Sequence, residues 1–163
     1  MTLSIALYQP DIAQNTGTIL RLCACLNLQA HIIEPAGFPS SDRAFRRAGM
    51  DYLDDVALMR HTSWIEFEQW RTAGANARPR LALFSTRCRT SYLDHTFRAD
   101  DILLFGRESA GVPEEVHAAA DVRLTIPMRD GMRSLNVAMA VAMAAGEALR
   151  QTRSFPVSFA FES

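Results

Sequence analysis

The stretch LLFGRESAGVPEE, residues 103–115, contains the end of one predicted element and the start of the next. Its apolar run stops at Gly106, which allows a backbone or a ligand to come close, and Gly111 permits a tight turn. Pro113 suits the first turn of a helix, and the two glutamates after it suit the positively polarised end of that helix. The stretch therefore predicts a buried strand, a tight loop and a helix, in that order.

The same order of elements recurs along the rest of the chain. Apolar runs of strand length occupy residues 3–8, 30–33, 56–59, 80–85, 101–106 and 122–126. Most of them are apolar throughout instead of alternating, as expected for strands covered on both faces. Helical patterns separate them, at residues 17–27, 42–48, 63–72, 113–119 and 134–151. This alternation predicts an α/β fold, a mostly parallel open sheet with helices on both faces.

Length and composition fit one ordinary globular domain. The chain has 163 residues, of which 48% are hydrophobic and 21% charged, and its net charge is −1. We expect a single domain over residues 1–153 and a tail over residues 154–163. The longest apolar stretch, residues 137–145, is too short to cross a bilayer, and no basic stretch of the kind that opens a signal peptide precedes Pro10. The sequence therefore predicts a cytoplasmic protein without a membrane segment.

The basic residues are all arginine, 17 of them, with no lysine. A net charge near zero is not typical of a nucleic-acid-binding domain. Arg43, Arg46 and Arg47 nevertheless fall within about one helical turn of each other. Because a guanidinium forms paired hydrogen bonds with phosphate, this segment is either a solvated surface helix or a patch that contacts phosphates.

The cysteines and histidines do not predict a metal site or a catalytic triad. Two of the cysteines are two residues apart, which on a helix places them on different faces, and the third has no ligand at a suitable spacing. The histidines fall outside the polar loops described next, which argues against a Ser-His-Asp triad. The residues concerned are Cys23, Cys25, Cys88, His31, His61, His95 and His117.

Three loops carry polar residues where an open parallel sheet binds ligands, beyond the carboxyl ends of its strands. After the first strand, residues 15–17 are typical of a helix cap, and Arg21 lies off the apolar stripe among small residues, facing another molecule or solvent. After the fifth strand, Glu108 stands between two glycines, where folding alone does not explain a carboxylate. After the sixth, Ser134 is a good N-cap, and Asn136 is the polar exception in a helix that is apolar nearly all round. We expect that helix to be buried between its own sheet and another subunit.

Taken together, these loops resemble the three motifs of the SpoU branch of the SPOUT RNA methyltransferases, in the right order. The matching segments are Asn15 to Arg21, LLFGRESAGVP and IPM…RSLNVAMA, and the resemblance extends over residues 5–150. It implies an open α/β sheet with a trefoil knot near the C-terminus, S-adenosylmethionine bound in the knot, and a homodimer.

Within the branch, three further segments point to one substrate. IALYQPDIAQNTGTILRLCA, HIIEPAGF and RRAGMDY are most similar to members that methylate the 2′-oxygen of the wobble nucleotide of tRNA. The resemblance implies leucine tRNAs with cytidine or modified uridine at position 34 as substrates.

The resemblance also implies site residues by motif position. The backbone of four residues is expected to hold the cofactor: Phe84, Gly106, Ile126 and Ser134. Five polar residues are expected around the reacting ribose, as the catalytic set: Asn15, Arg21, Glu108, Ser134 and Asn136.

Arg21 is either a base or a fixed cation. A permanently protonated guanidinium is poorly suited to act as a base. No metal is implied. The tRNA anticodon stem is expected on a basic track that the dimer doubles, made of Arg43, Arg46 and Arg47 with Arg129 or Arg133.

Three other functions stay open at the level of sequence. One is the same chemistry on another tRNA position or on ribosomal RNA. Another is a knotted RNA-binding protein without activity, although all five polar positions are filled. The third is a plain α/β domain that binds a small nucleotide.

Overall fold

The computed structural model describes residues 2–74 and 78–157. The strands in these ranges are β1 (Ser4–Tyr8), β2 (Gln29–Ile33), β3 (Leu58–His61), β4 (Leu81–Phe84), β5 (Ile102–Phe105) and β6 (Val122–Leu124). The α-helices are α1 (Ala13–Cys25), α2 (Arg43–Gly49), α3 (Trp64–Thr72), α4 (Glu114–Ala119) and α5 (Val137–Thr152). Short 3-10 helices span Met50–Asp54 and Tyr92–Asp94.

The strands form one parallel sheet in the order β3-β2-β1-β5-β4-β6. Leu7 of β1 lies opposite Phe105 of β5, which lies opposite Phe84 of β4, which in turn lies opposite Leu124 of β6. The carboxyl ends of these four strands are therefore side by side. This register brings the loops after β1, β5 and β6 to one edge of the sheet, and it confirms the predicted parallel α/β sheet.

Helices cover both faces of the sheet. On one face, α1 and α5 pack through a core that includes Ile19, Leu20 and Val141. On the other face, α3 and α4 contribute the buried Phe67 and Val116 to a second core. Both faces of the four central strands β2, β1, β5 and β4 are thus buried, which accounts for their largely apolar character.

The sequence also led to expectations about membrane segments, the knot and the C-terminal tail. None of the helices within residues 2–74 and 78–157 is long and apolar enough to cross a membrane. The trefoil knot and the division into a domain and a tail stay predictions. Of the tail, residues 154–157 are described, with the backbone N–H of Ser154 donating to the Leu149 carbonyl at 3.1 Å, and residues 158–163 lie outside the described residues.

The helix after β1 begins earlier than predicted. Its N-cap is Ile12, which has no side-chain cap, so the prediction that residues 15–17 form a cap is wrong. Thr16 donates its backbone N–H to the Ile12 carbonyl at 3.2 Å, which places Asn15 and Thr16 inside the first turn. The Asn15 side chain is free of a capping role because it bonds to another loop instead.

The last helix also begins at a different residue from the predicted one. Its N-cap is Asn136, whose side chain accepts from the backbone N–H of Ala138 at 2.8 Å, so the prediction of Ser134 as N-cap is wrong. Serine and asparagine both cap helices well. Asn136 is the cap because it directly precedes Val137, the first residue of the helix.

The apolar residues of α5 divide between a buried face and an exposed face. Small residues face the core, including Ala144, Ala145 and Ala148, whereas Met139 and Met143 are 54% and 44% exposed. The small side chains let the helix lie close to the sheet. The exposed methionines leave an apolar face uncovered in the single chain, and its burial by another subunit stays a prediction.

Candidate active site

The three polar loops enclose a cavity of about 490 Å³ at the carboxyl edge of the sheet. This volume falls in the range of roughly 300–1,000 Å³ that is usual for small-molecule sites. Every site residue predicted from the sequence lines the cavity except Arg21, and these are Asn15, Phe84, Gly106, Glu108, Ile126, Ser134 and Asn136. The loops that the sequence singled out thus converge on one place.

The loop after β5 is a closed turn over residues 107–111. Arg107 and Gly111 exchange backbone hydrogen bonds of 3.0 Å and 2.8 Å, and Gly111 has a φ of +64°, which favours glycine. A side chain at Gly106 would place its Cβ 2.6 Å from the carbonyl carbon of Gly111. The close approach predicted at Gly106 is therefore that of the loop's own backbone, and the turn aims the intervening side chains at the loop after β1.

Glu108 is the acceptor at the centre of the site. Its Oε2 accepts from the backbone N–H of Asp11 at 3.0 Å, and its Oε1 accepts from Asn15 Nδ2 at 3.4 Å. Burial, and after it the neighbouring Asp11 carboxylate, raise the pKa of Glu108. The side-chain hydrogen bond with Glu108 and the hydroxyl of Ser109 lower the pKa of Asp11 to about 2. Asp11 thus remains ionised where Glu108 takes up a proton.

A hydrogen-bonded chain connects Glu108 to the start of α5. Asn15 donates through Nδ2 to Glu108, and its Oδ1 accepts from Asn136 Nδ2 at 3.0 Å. The Oδ1 of Asn136 caps α5, so each amide has one orientation that satisfies all of its partners. One network therefore joins all three loops.

Arg21 lies away from the cavity, on the exposed side of α1. Its guanidinium carbon is 5.2 Å from the centre of the Tyr52 ring, and Nη1 donates to Met50 Sδ at 3.3 Å. Within the described residues it forms no ion pair. A cation held on an aromatic ring without a carboxylate is available to an external anion.

The other arginines of the predicted track are all exposed. Three are on α2, which packs against α1, the helix that carries Arg21. Arg133 also lines the cavity, so it connects the site to the surface. The set comprises Arg43, Arg46, Arg47, Arg129 and Arg133.

Sequence reasoning missed Asp11, which contacts the loop after β5, and Arg107, which lines the cavity. Asp11 lies in the loop just after β1, which ends at Tyr8, so its position beyond a carboxyl end was a usable signal. Within the described residues no histidine lines the cavity, and His31 and His61 form a buried pair with ring nitrogens 3.0 Å apart. Within the described ranges, no three His, Cys, Asp or Glu residues are placed to hold a metal ion.

Comparison with known proteins gives consistent matches. The model of the SpoU rRNA Methylase family matches residues 2–146. The tRNA (cytidine(34)-2′-O)-methyltransferase of Beijerinckia indica subsp. indica is 66% identical over 147 residues, which is 90% of each chain.

Solved structures agree with these matches. One, described as "Structural insights into the 2-OH methylation of C/U34 on tRNA", has a TM-score of 0.85 and 44% identity, and the match covers 91% of this chain and 95% of the other. The SpoU methyltransferase AviRb from Streptomyces viridochromogenes, in complex with the cofactor AdoMet, has a TM-score of 0.86 and 25% identity, over 95% of this chain and 59% of the other.

Proposed function

Because the chain belongs to the SpoU rRNA Methylase family, we propose that it is an S-adenosylmethionine-dependent tRNA 2′-O-methyltransferase that acts on the wobble nucleotide. We propose cytidine or uridine 34 of leucine tRNAs as the substrate. The observation that carries the proposal is the hydrogen-bonded chain of Glu108, Asn15 and Asn136 on the cavity wall. A relative that is 66% identical and named for this reaction supports it.

The cavity fits S-adenosylmethionine by its volume and by the chemistry of its lining. Leu83, Val112 and Ala140 offer apolar contacts for an adenine ring, while Glu108 and Arg133 offer opposite charges to an amino-acid moiety. Four residues would hold the cofactor, largely by backbone: Phe84, Gly106, Ile126 and Ser134. The cofactor supplies a methyl group activated by a sulfonium.

The residues of this chain contribute chiefly by positioning. Methyl transfer needs the accepting oxygen in line with the methyl–sulfur bond of the cofactor. Side chains held rigidly on the cavity wall therefore supply much of the rate by positioning the ribose. Asn15 and Asn136 have fixed amide orientations, and Glu108 fixes Asn15 in turn. Together they present donors and acceptors of defined direction to a ribose.

We assign Arg21 a role as a fixed cation. A guanidinium stays protonated at any ordinary pH, so it is a poor base. Its position outside the cavity, on Tyr52 and on the helix that packs against α2, supports contact with a phosphate next to the reacting ribose. Contact with the developing alkoxide is the other role open to such a cation.

We also propose that the enzyme is a cytoplasmic homodimer that binds the anticodon stem-loop. The exposed apolar side chains around the start of α5 suit a second copy of the chain, and they are Ile12, Met132, Leu135, Met139 and Met143. The arginine track described above suits the phosphates of the stem.

The test is methyl transfer from labelled S-adenosylmethionine to bulk tRNA. We expect the wild type to label tRNA, and Glu108→Ala to lose about 100-fold or more of that activity, since the network loses its central acceptor. Glu114→Ala removes an exposed carboxylate outside the cavity and serves as the matched control. Absence of labelling by a folded wild type that binds the cofactor would favour the inactive RNA-binding protein, and labelling of ribosomal RNA alone would favour the other substrate.

A further inference from the structure

Asp11 contacts three consecutive residues of the loop after β5. Its Oδ1 accepts from the backbone N–H of Glu108 at 3.1 Å, and its Oδ2 accepts from the Ser109 hydroxyl and lies 3.7 Å from Arg107 Nε. In return, the backbone N–H of Asp11 donates to Glu108 Oε2 at 3.0 Å. Two residues 97 positions apart in the chain are thus joined by reciprocal hydrogen bonds.

Asp11 and Glu108 both carry carboxylates, so their contact affects the charge of the site as well as the shape of the loop. The Asp11 side chain is 17% exposed and lies beside Glu108, so its negative charge opposes a second charge on Glu108. The other charged groups around the pair are Arg107 of the same loop and Arg133, which lines the cavity. Asn15 of α1, which contacts Glu108, and Asn136, the N-cap of α5, which contacts Asn15, are neutral.

We infer that Asp11 is a positioning residue for the proposed methyl transfer: its carboxylate holds the loop so that Glu108 fixes Asn15, and it opposes a second negative charge on Glu108. The catalytic part rests on the proposed function, whereas the control of Glu108 by Asp11 does not. A purely structural clamp would hold the loop without changing the ionisation of Glu108.

The sign of the effect follows from the two carboxylates. Asp11 carries its charge wherever Glu108 titrates, since the pKa of Asp11 is about 2 and the pKa of Glu108 is raised. Removing that charge lowers the pKa of Glu108. The ionised Glu108 is the better acceptor for Asn15, so activity falls as pH falls through the Glu108 pKa, and Asp11→Asn moves this acid limb to lower pH.

The direct test is a carbon-13 NMR titration of the Glu108 carboxyl in the protein alone, with the signal assigned by its loss in Glu108→Gln. We expect the midpoint to move to lower pH in Asp11→Asn and to stay raised in Asp11→Glu, which keeps the charge. Asp94→Asn, which removes an exposed charge elsewhere, leaves the midpoint unchanged. An equal midpoint in the wild type and a folded Asp11→Asn protein would overturn the inference.

The catalytic consequence is read from the pH profile of methyl transfer. We expect Asp11→Asn to move the acid limb to lower pH. We expect Asp11→Ala to lower kcat about tenfold or more with little change in KM, because the loop loses the hydrogen bonds that Asp11 accepts from Glu108 and Ser109. An unchanged profile and kcat in both variants would overturn the catalytic part. A wild type that labels no RNA would refute the proposed function, while the titration would still decide whether Asp11 controls Glu108.

Discussion

Single residues set the shape of the site through backbone contacts as much as through side chains. The close contact at Gly106 is made by Gly111, and the resulting turn is what points Glu108 at Asn15. The sequence singled out both glycines and Glu108, and the structure confirms the tight turn at Gly111 and the close approach at Gly106. The sequence could not predict that the loop's own backbone fills the space beside Gly106, because that requires the conformation of the turn.

Substitution of the two glycines by alanine is expected to reduce the free energy of unfolding by different amounts. A side chain at Gly111 meets no atom within 4 Å, so Gly111→Ala carries only the strain of its positive φ, roughly 1–2 kcal/mol. At Gly106 the new Cβ would lie 2.6–2.9 Å from backbone atoms, which cannot rotate away. We expect Gly106→Ala to lose more unfolding free energy in denaturant titration and to weaken cofactor binding more. Equal losses in the two variants would contradict this turn geometry.

Among the elements, the ends of the helices decide which polar groups face the cavity. Asn15 reaches Glu108 because α1 begins at Ala13, and Asn136 is oriented because it caps α5. Sequence patterns located both helices but misplaced both starts. Ser134 and Asn136 are equally good caps by type, and only the path of the chain from β6 decides between them.

The caps can be told apart by substitution. Asn136→Ala removes the acceptor for the Ala138 N–H as well as the donor to Asn15, so we expect a loss of about 1 kcal/mol in unfolding free energy together with reduced activity. Ser134→Ala leaves the cap intact and costs less stability. Thermal or chemical denaturation of the two variants measures the difference, and a larger loss for Ser134→Ala would favour the original prediction.

The arginines of α2 make a prediction about tRNA binding. Reversing the charge at Arg46 and Arg47 would remove the proposed phosphate contacts, so we expect weaker tRNA binding and a shallower dependence of log Kd on log salt concentration. The same reversal at Arg98, an exposed arginine away from the cavity, is the control. Unchanged affinity and salt dependence in the α2 variant would remove this helix from the tRNA surface.

Across the whole molecule, the order of the strands creates the site. The sequence predicted a parallel sheet and polar loops after the first, fifth and sixth strands. It did not show that β5 lies between β1 and β4, and for this reason Asp11 was missed as the partner of Glu108. The position of Arg21 outside the cavity likewise depends on the orientation in which α1 packs against α2, and a local sequence pattern does not predict that orientation.

Stability at the level of the whole molecule should depend on the histidine pair beneath α3. Burial, and then the neighbouring His61, lower the pKa of His31 to about 4, from 6.5 in an unfolded chain, and burial lowers the pKa of His61 as well. Below pH 6.5 the two histidines are therefore protonated to a greater extent in the unfolded chain than in the folded protein. We expect stability to fall between pH 6.5 and about 4 and His31→Phe to reduce that slope, as measured by denaturation across this range. Identical slopes in the two proteins would rule out the pair as the cause.

The measurement that tests the proposed function most directly is mapping of the methylated nucleotide. Purified leucine tRNA is incubated with the protein and S-adenosylmethionine, and nuclease fragments are analysed by mass spectrometry, with Glu108→Ala in parallel. We predict a single added methyl group on the ribose of nucleotide 34 with the wild type, formed about 100-fold or more slowly with the variant. A methyl group at another position, or equal methylation by the variant, would contradict the assignment of the substrate or of the site.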